Sequence, residues 1–340
     1  MSLADRVRAG DRLALARLVT LIENENPEGD LALNDLYSNT GRAHLVGVTG
    51  GTGTGKSTLV NQLALYLRRT PLAALASDNP DGPAIGIIAV DPSSPFTGGA
   101  ILGDRIRMRD LAGDAGVFIR SMASRGALGG LAKRTNAVVE ALDAAGYPLI
   151  LIETVGAGQS EVEIARTAHT TLVIDSPGLG DDVQAIKAGI LEIADILVVN
   201  KADLPGAQKT VRALRTALEM GYPASSRRRG EQGLIDIPEG DKPWVPPLVE
   251  TIATEGKGID ELAKAILTHR EYLSRSGEIE ARLRERVEAE IETLLRDRLR
   301  DRLFEGRSEG AYEAAVEAVL ARACSPRQAV DDLVSSLFPA

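Results

Sequence analysis

A glycine-rich run between a strand pattern and a helix pattern constrains the fold of this chain more than any other feature. Residues 50–57 read GGTGTGKS and fit the pattern G-x-x-x-x-G-K-[ST]. The apolar run HLVGV (44–48) precedes the motif, and the helical segment STLVNQLALYLRR follows it. This order is typical of a phosphate-binding loop, in which backbone N–H groups surround phosphate oxygens at the positive end of a helix.

The motif predicts a role for each kind of residue in it. Lys56 is expected to reach the β- and γ-phosphates of a nucleotide and to act in catalysis, and the Ser57 hydroxyl is expected to bind magnesium. The predicted phosphate-binding residues are Gly50, Gly51, Thr52, Gly53, Thr54, Gly55, Lys56, Ser57 and Thr58.

Further apolar runs alternate with helical segments as far as about residue 269. They are AIGIIAV (84–90), GVFIR (116–120), PLILIE (148–153), TTLVID (170–175) and DILVVN (195–200). Because these runs lack period-two alternation, they suit strands that are buried on both faces. Their alternation with helices implies βαβ units. We therefore predict an α/β fold of the P-loop NTPase type, with a mainly parallel sheet flanked by helices.

Helical patterns flank this α/β region. Residues 1 to about 40 place Leu13, Leu18, Val19 and Ile22 at helical spacing, and the stretch NENPEGD ends that pattern. We therefore predict three parts: an N-terminal helical extension (1–43), a P-loop domain (44–270) and a C-terminal helical region (271–340).

The C-terminal region begins with an apolar stripe on a helix otherwise coated with Glu and Arg. The residues of the stripe step by four and are Ile279, Leu283, Val287, Ile291, Leu295, Leu299 and Leu303. Further helices are predicted over 309–323 and 326–337. The stripe suits either packing on the main domain or a dimer seam, and the pattern alone leaves both open.

A second motif indicates which base is bound. Asn200-Lys201-Ala202-Asp203 follows an apolar run and fits N-K-x-D, the guanine-reading pattern of G proteins. The Asp203 carboxylate can accept two N–H bonds that guanine offers and adenine lacks, Asn200 can bond the imidazole-ring nitrogen, and the Lys201 stem packs on the base or the loop. A later turn, TIAT (251–254), is expected to offer a backbone N–H to the guanine carbonyl from Ala253 or Thr254. The two motifs together predict a GTPase that binds GTP or GDP.

Two carboxylates compete for the magnesium and switch role. Glu153 opens ETVGAGQSE, whereas Asp175 opens DSPGLGDD. Ras-like GTPases place two βα units between this acid and N-K-x-D, and only Glu153 leaves room for two. We therefore assign Glu153 as the Walker B acid and expect Gly156 to donate its N–H to the γ-phosphate. The alternative is that Glu153 caps the following helix.

Asp91 and Asp104 are further candidate magnesium ligands. Asp91 ends IIAVD, and Asp104 lies in GGAILGDRIRM, within a Gly-, Ser- and Pro-rich stretch. Since octahedral magnesium needs few protein oxygens beside phosphate and water, either residue could bind directly or through water. Each could instead be a loop carboxylate or a helix cap.

Composition narrows the class of protein. The formal net charge is −9, which argues against a nucleic-acid binder, and the single cysteine, Cys324, excludes an intramolecular disulfide. No run of about 20 apolar residues occurs, so no membrane insertion is expected. We expect a cytoplasmic protein.

At these residues the chain resembles the MeaB/ArgK family of SIMIBI-class GTPases, whose human relative is the methylmalonic aciduria type A protein. The segments that carry the resemblance are AVDPSSPFTGGAILGDRIRM (89–108), GALGGLAKRT (126–135), IETVGAGQSEVE (152–163), PGLGDDVQAIKAGI (177–190) and VVNKADLPG (198–206). The chain has Thr52 where the family commonly has Pro.

The resemblance implies a GTPase that escorts an adenosylcobalamin-dependent acyl-CoA mutase, usually methylmalonyl-CoA mutase, by gating cofactor loading and protecting the enzyme. It implies a homodimer joined through C-terminal helices. It also implies phosphate and magnesium roles for Lys56, Ser57, Asp91, Asp104 and Glu153, and a third switch over 178–187 that includes Gln184 and Lys187.

Other functions remain open at this point. A metal-delivery GTPase of the UreG or HypB type would need Cys or His ligands near the switches. A kinase linked to amino-acid transport would need a protein-substrate phosphotransfer site. A nucleotide-gated binding module would work without hydrolysis.

Overall fold

The computed structural model describes most of the chain in two compact units, Met1–Arg286 and Val287–Ala340. The described residues are 1–70, 84–92, 108–111, 113–124, 130–154, 167–178, 190–221, 229–230, 233–234, 243–304 and 309–337.

A parallel sheet of seven strands forms the centre of the first unit. Its strands are β1 (His44–Gly50), β2 (Ile85–Pro92), β3 (Val117–Ser124), β4 (Leu149–Thr154), β5 (Thr170–Asp175), β6 (Ile196–Asn200) and β9 (Leu248–Thr251). Their order is β3-β2-β4-β1-β5-β6-β9, and β7 (Arg229–Gly230) pairs separately with β8 (Gly233–Leu234). The predicted parallel α/β fold is therefore confirmed. The sequence did not reveal β9, which carries only two large apolar residues.

Ten α-helices are described. They are α1 (Leu3–Arg8), α2 (Arg12–Glu23), α3 (Pro27–Leu36), α4 (Lys56–Arg69), α5 (Gly130–Ala144), α6 (Ala207–Gly221), α7 (Ile259–Ser276), α8 (Glu278–Phe304), α9 (Glu309–Leu320) and α10 (Pro326–Leu337). Short 3-10 turns cover Tyr37–Asn39, Arg109–Leu111, Ile190–Ile193 and Ala253–Glu255.

Alternate residues of the strands supply three hydrophobic cores, of which the two larger ones contain alternate residues of β4. Leu149 and Leu151 of β4 join the core that contains α4 and α7, whereas Ile150 and Ile152 join the core that contains α1, α2, α3 and α5. Every residue of β1 and β4 is buried, because both faces are covered by helices. This explains why the apolar runs showed no alternation.

The N-terminal helices differ in detail from the predicted stripe. Leu13 was expected on the apolar face of the first helical segment, but its side chain is 79% exposed, and Ala14 and Leu15 are buried instead. The stretch NENPEGD follows the end of α2 at Glu23, as the pattern predicted, but a further helix begins within it. Asn26 caps a new helix, α3, by accepting a hydrogen bond from Glu28 N at 2.9 Å.

The C-terminal helices follow the predicted boundaries closely. The stripe lies on one helix, α8, and the predicted helices at 309–323 and 326–337 correspond to α9 and α10, with α9 ending at Leu320. Two residues of the stripe are more than half exposed, Ile291 at 58% and Leu295 at 56%. None of the helices in the described part of the chain has the length and apolar character that a membrane crossing requires.

Candidate nucleotide-binding site

The candidate site lies at the carboxyl edge of the sheet, where β4, β1, β5 and β6 are neighbours. The loop from Gly50 to Gly55 leaves β1 there and leads directly into α4, which begins at Lys56. Ligands of open α/β sheets bind at this edge. The helix also points its positive end at the loop, which favours an anion.

Two glycines of the loop are required by close backbone packing. Gly50 has φ 138°, and a Cβ placed on it would lie 2.0 Å from the carbonyl oxygen of Ile174 on β5. Gly55 has φ 92°, and its Cβ would lie 2.5 Å from Nδ2 of Asn200. Since a side chain fits at neither position, the loop can approach β5 and the Asn200 loop only with glycine there.

The carbonyl groups of the loop are held by two lysines and one amide. Nζ of Lys56 donates to the carbonyls of Gly50 at 2.7 Å and Gly51 at 2.9 Å, and it is buried inside the loop. Lys201, which has φ 57°, donates from Nζ to Gly53 O at 2.7 Å. These bonds fix the conformation of the loop, because they tie three of its carbonyl groups to lysine side chains.

The remaining loop residues differ in exposure. Thr54 is buried, and its hydroxyl donates to Gly51 O at 3.0 Å. Thr58 is half-buried in the first turn of α4, and the residues at the tip of the loop, Gly51, Thr52 and Gly53, are exposed.

Ser57 and Glu153 meet at the floor of the site. Glu153 lies on β4 opposite Val48 of β1, and its Oε1 accepts a hydrogen bond from Oγ of Ser57 at 2.5 Å. Both side chains are buried, and the short distance is that of a charge-assisted bond. Asp175, the competing carboxylate, accepts from the backbone N–H of its neighbour Ser176 at 2.8 Å.

Asn200 joins three loops of the site. Its Nδ2 donates to Thr54 O at 2.8 Å, and its Oδ1 accepts from Thr251 Oγ1 and from Ala253 N, both at 3.1 Å. A backbone N–H can only donate, so this contact identifies Oδ1 and fixes the orientation of the amide. The N–H of Ala253, which was expected to face the guanine carbonyl, is donated to Asn200 in this structure.

The other members of the predicted guanine set lie at the rim. Asp203 and Thr254 are exposed. The pKa of Lys257 is raised, first by its hydrogen bond to the Glu255 carboxylate and further by the charges of Glu255 and Asp203. The backbone N–H of Ala202 donates to Thr251 O at 3.0 Å, which ties the N-K-x-D loop to the end of β9.

The described side chains do not include all of the predicted site residues. Gly156 and Asp104 lie outside the described residues, as do Gln184 and Lys187 of the predicted third switch. Asp91 lies near the carboxyl end of β2, which pairs with β4 in the sheet, and only its backbone is described.

Sequence reasoning missed the role of Thr251. This residue is 1% exposed and ends β9, and its hydroxyl holds Oδ1 of Asn200. The weak pattern of β9 hid the strand, so the threonine was taken only as the start of a turn. A threonine after the apolar pair Leu248–Val249 was the available signal.

Comparison with known proteins agrees with the fold and with a GTPase. The model of the family described as "Methylmalonyl Co-A mutase-associated GTPase MeaB" matches residues 15–308. A Pyrococcus abyssi protein named as a GTPase is 49% identical over 286 residues, covering 84% of this chain and 81% of the relative. The GTPase ArgK of Escherichia coli is 37% identical over 279 residues, covering 81% and 77% of the two chains.

More distant relatives extend the comparison. The mitochondrial methylmalonic aciduria type A homolog of Caenorhabditis elegans is 28% identical over 294 residues, covering 82% of this chain and 68% of the relative. The crystal structure of an LAO/AO transport system kinase superposes on this chain with a TM-score of 0.68 at 27% sequence identity. The superposition covers 98% of this chain and 96% of the kinase chain. The chain therefore belongs to the MeaB family of methylmalonyl-CoA mutase-associated P-loop GTPases.

Proposed function

We propose that this GTPase binds GTP with Mg²⁺ in the crevice between the loop at 50–57 and the loop at 200–203. We also propose that its nucleotide state controls cofactor loading and protection of an adenosylcobalamin-dependent acyl-CoA mutase. The observation that carries the nucleotide part is the bridge that Asn200 makes between Thr54 and the 251–253 turn. The family description, which names methylmalonyl-CoA mutase, supports the partner.

The base-reading half of the site follows from the fixed orientation of Asn200. Its Oδ1 is occupied by Thr251 and Ala253, so the amide presents its N–H₂ group toward the crevice. One N–H is donated to Thr54 O, and the other suits an acceptor such as the imidazole-ring nitrogen of a purine. The exposed carboxylate of Asp203 supplies the selection for guanine, because it can accept from two adjacent N–H groups.

The phosphate half is assigned to the loop and Lys56. The ammonium group is fixed inside the loop by the carbonyls of Gly50 and Gly51. A cation and a helix N-terminus in one enclosed loop suit the triphosphate chain. During hydrolysis, Lys56 and the loop N–H groups stabilise the negative charge that develops as water attacks the γ-phosphate in line.

The residues around Ser57 fit a magnesium ion. Its hydroxyl and the Glu153 carboxylate bring oxygen atoms to one buried point, and Mg²⁺ is bound by oxygen ligands. When bound, the ion neutralises phosphate charge and orients the phosphate chain. We assign Ser57 and Glu153 to it, retain Asp91 and Asp104 as further candidates, and assign the N–H of Gly156 to the γ-phosphate.

We further propose that two copies of the chain associate through the C-terminal helices of the region 271–340. The exposed apolar residues of α8, such as Ile291 and Leu295, form a surface that suits packing against a helix of a second copy. Sedimentation of the full chain and of a variant with both residues changed to Glu tests this. A monomeric wild-type chain would rule the seam out.

The deciding experiment is GTP hydrolysis by the purified chain, alone and with the acyl-CoA mutase from the same source. We expect slow turnover by the chain alone, because no arginine finger is assigned in cis, and a clear rise when the mutase is added. Lys56→Ala with the mutase is the matched control and should show no rise. If the rate is unchanged and the two proteins do not co-elute with GDP or with a GTP analogue, the mutase is not the partner.

A further inference from the structure

All three histidines of the chain meet at the amino edge of the sheet, opposite the nucleotide site. His44 begins β1, His169 directly precedes β5, and His269 lies on α7. The hydroxyl of Thr170 joins two of the rings, at 2.9 Å from Nε2 of His44 and 2.8 Å from Nδ1 of His269. The rings of His44 and His169 are 5.5 Å apart. We call these four residues the histidine cluster.

The first turns of α8 are attached beside this cluster. The guanidinium of Arg282 donates to both oxygens of Asp195, at 2.9 and 2.8 Å, and to the carbonyl of His169 at 2.7 Å. Asp195 also accepts the N–H of Thr171 at 2.9 Å and lies 3.4 Å from Nε2 of His269. One carboxylate therefore connects α8, the start of β5 and the histidine cluster.

The structure favours the neutral form of two imidazoles of the cluster, those of His169 and His44. Nδ1 of His169 accepts the backbone N–H of Leu45 at 3.2 Å, so this nitrogen carries no proton. Burial lowers the pKa of His169 to about 3, and the charges of Arg286, Arg282 and Arg270 add to the effect. Burial likewise lowers the pKa of His44 well below its usual value, and His169 and Arg270 contribute.

The nearby carboxylates are already used. Asp195 is paired with Arg282, and Glu278 accepts from the hydroxyl of Tyr272 at 2.6 Å. The negative charges of Glu278 and Glu285 also raise the pKa of Arg282. The carboxylates of Asp195, Glu278 and Glu285 therefore act on Arg282, and a proton on His169 or His44 adds a further positive charge to a group of partly buried arginines.

We propose that the histidine cluster is an acid-sensitive latch that releases the first turns of α8, residues 278–286, from the amino edge of the sheet. A proton on His169 removes the acceptor for Leu45 N and places a second cation beside Arg282. Opening relieves both effects, because the imidazoles and the arginines then reach water. Acidification therefore favours the open state.

The only tryptophan of the chain is placed to report this opening. The Trp244 ring lies 4.7 Å from that of His269 and 5.4 Å from that of Tyr272, and its indole N–H donates to Asp195 O at 2.8 Å. Trp244 and Tyr272 also line a pocket of about 340 Å³ together with Thr268 and Arg275. The pocket is therefore lined by two aromatic residues that contact His269.

The test is hydrogen exchange of residues 278–286 in the full chain, corrected for the intrinsic effect of pH, with Trp244 emission measured in parallel. Between about pH 7.5 and about pH 5.5, the opening constant should rise about tenfold for each imidazole that reaches water. A constant that does not change over this range overturns the latch. The GTPase activity is not needed for this readout.

The double variant His44→Gln, His169→Asn identifies the groups that titrate. The side-chain amide of Gln can replace the hydrogen bond made by Nε2 of His44, and the amide oxygen of Asn can replace Nδ1 of His169 as an acceptor. Neither amide takes up a proton between about pH 7.5 and about pH 5.5. We expect the pH dependence to disappear. If it persists unchanged, carboxylates or other groups drive the opening, and the proposal is wrong.

The variant Arg282→Met tests whether the Arg282 guanidinium holds residues 278–286 at the amino edge of the sheet. Without the guanidinium, residues 278–286 should exchange rapidly already at neutral pH, while the rest of the sheet stays protected. Arg296→Met, an exposed arginine of the same helix, is the matched control and should leave exchange at 278–286 unchanged. If Arg282→Met also leaves it unchanged, Arg282 does not hold these turns, and the proposal is wrong.

Discussion

The two edges of the sheet are built in opposite ways. At the carboxyl edge, side chains bond to backbone carbonyls of a glycine loop, as Lys56, Asn200 and Lys201 do. At the amino edge, side chains bond mainly to one another, as Arg282 does to Asp195 and Thr170 does to two histidines. The first arrangement fixes the conformation of the loop that a ligand would contact, whereas the second joins the start of α8 to the strands beside it.

The short strand β6 connects the two arrangements. Asp195 lies directly before its first residue, and Asn200 is its last. One strand therefore carries the anchor of α8 at one end and the base-reading amide at the other. The difference teaches that one strand of a parallel sheet can end in a binding loop while its start is fixed in the core.

The largest expected effect falls on the carboxyl edge. Lys56→Ala removes the ammonium group that bonds to the carbonyls of Gly50 and Gly51, and GTP hydrolysis should fall by about 10²- to 10³-fold. Steady-state hydrolysis with purified protein measures this. Lys264→Ala, which removes an exposed lysine paired with Asp260, is the control and should leave the rate unchanged. A Lys56→Ala rate within twofold of wild type contradicts the assignment.

The amino edge should instead control stability against acid. His44 and His169 have lowered pKa values in the folded chain and ordinary ones near 6.5 when unfolded. The unfolded state therefore binds more protons as the pH falls below about 6.5, and stability present above this pH is lost. We expect the free energy of unfolding to fall by about 2–3 kcal/mol between about pH 7.5 and about pH 5.5.

Urea denaturation at several pH values measures this loss. The variant His44→Gln, His169→Asn should show a flatter dependence over the same range. A wild-type stability that is constant across the range means that the imidazoles are protonated, or exposed, in the native state.

The next largest effect is expected on the binding of guanine nucleotides. Asp203→Asn replaces an acceptor by a group that also donates, so the pair of guanine N–H bonds is lost. A bidentate contact of this kind is worth about 1–3 kcal/mol, which predicts a weakening of GDP binding by about 5- to 150-fold. Binding of a fluorescent GDP analogue measures it. The half-exposed Asp260, on α7, provides the control Asp260→Asn, and equal affinities for both variants contradict the role of Asp203.

The sequence predicted the fold well because its main signals were local. Apolar runs without alternation predict buried strands, and the glycine motif locates the turn between β1 and α4. The two failures have different causes. Leu13 fits the helical period, but burial depends on which neighbours cover it, and its side chain is exposed. The edge strand β9 has too few apolar residues to be recognised.

The sequence motifs predicted which residues belong to the candidate site, but they did not predict the hydrogen bonds that join these residues. The motifs named Ser57, Glu153 and Asn200, yet the contact between Ser57 and Glu153 joins positions far apart in the chain. The bonds of Asn200 to Thr54 and Thr251 likewise depend on strand order in space. The histidine cluster was invisible for the same reason, since three scattered histidines meet only after the sheet forms.

The smallest expected effect tests the connection that the sequence did not show. Thr251→Val keeps the shape and removes the hydroxyl that donates to Oδ1 of Asn200, while the N–H of Ala253 still holds that oxygen. The loss of one of two such bonds costs about 0.5–1.5 kcal/mol, so GDP binding should weaken by about 2- to 10-fold. Thr254→Val, at an exposed neighbour, is the control and should bind GDP like wild type, because its proposed contact is through the backbone. If both variants bind GDP equally, the Ala253 N–H alone orients Asn200, and the threonine stabilises only the end of β9.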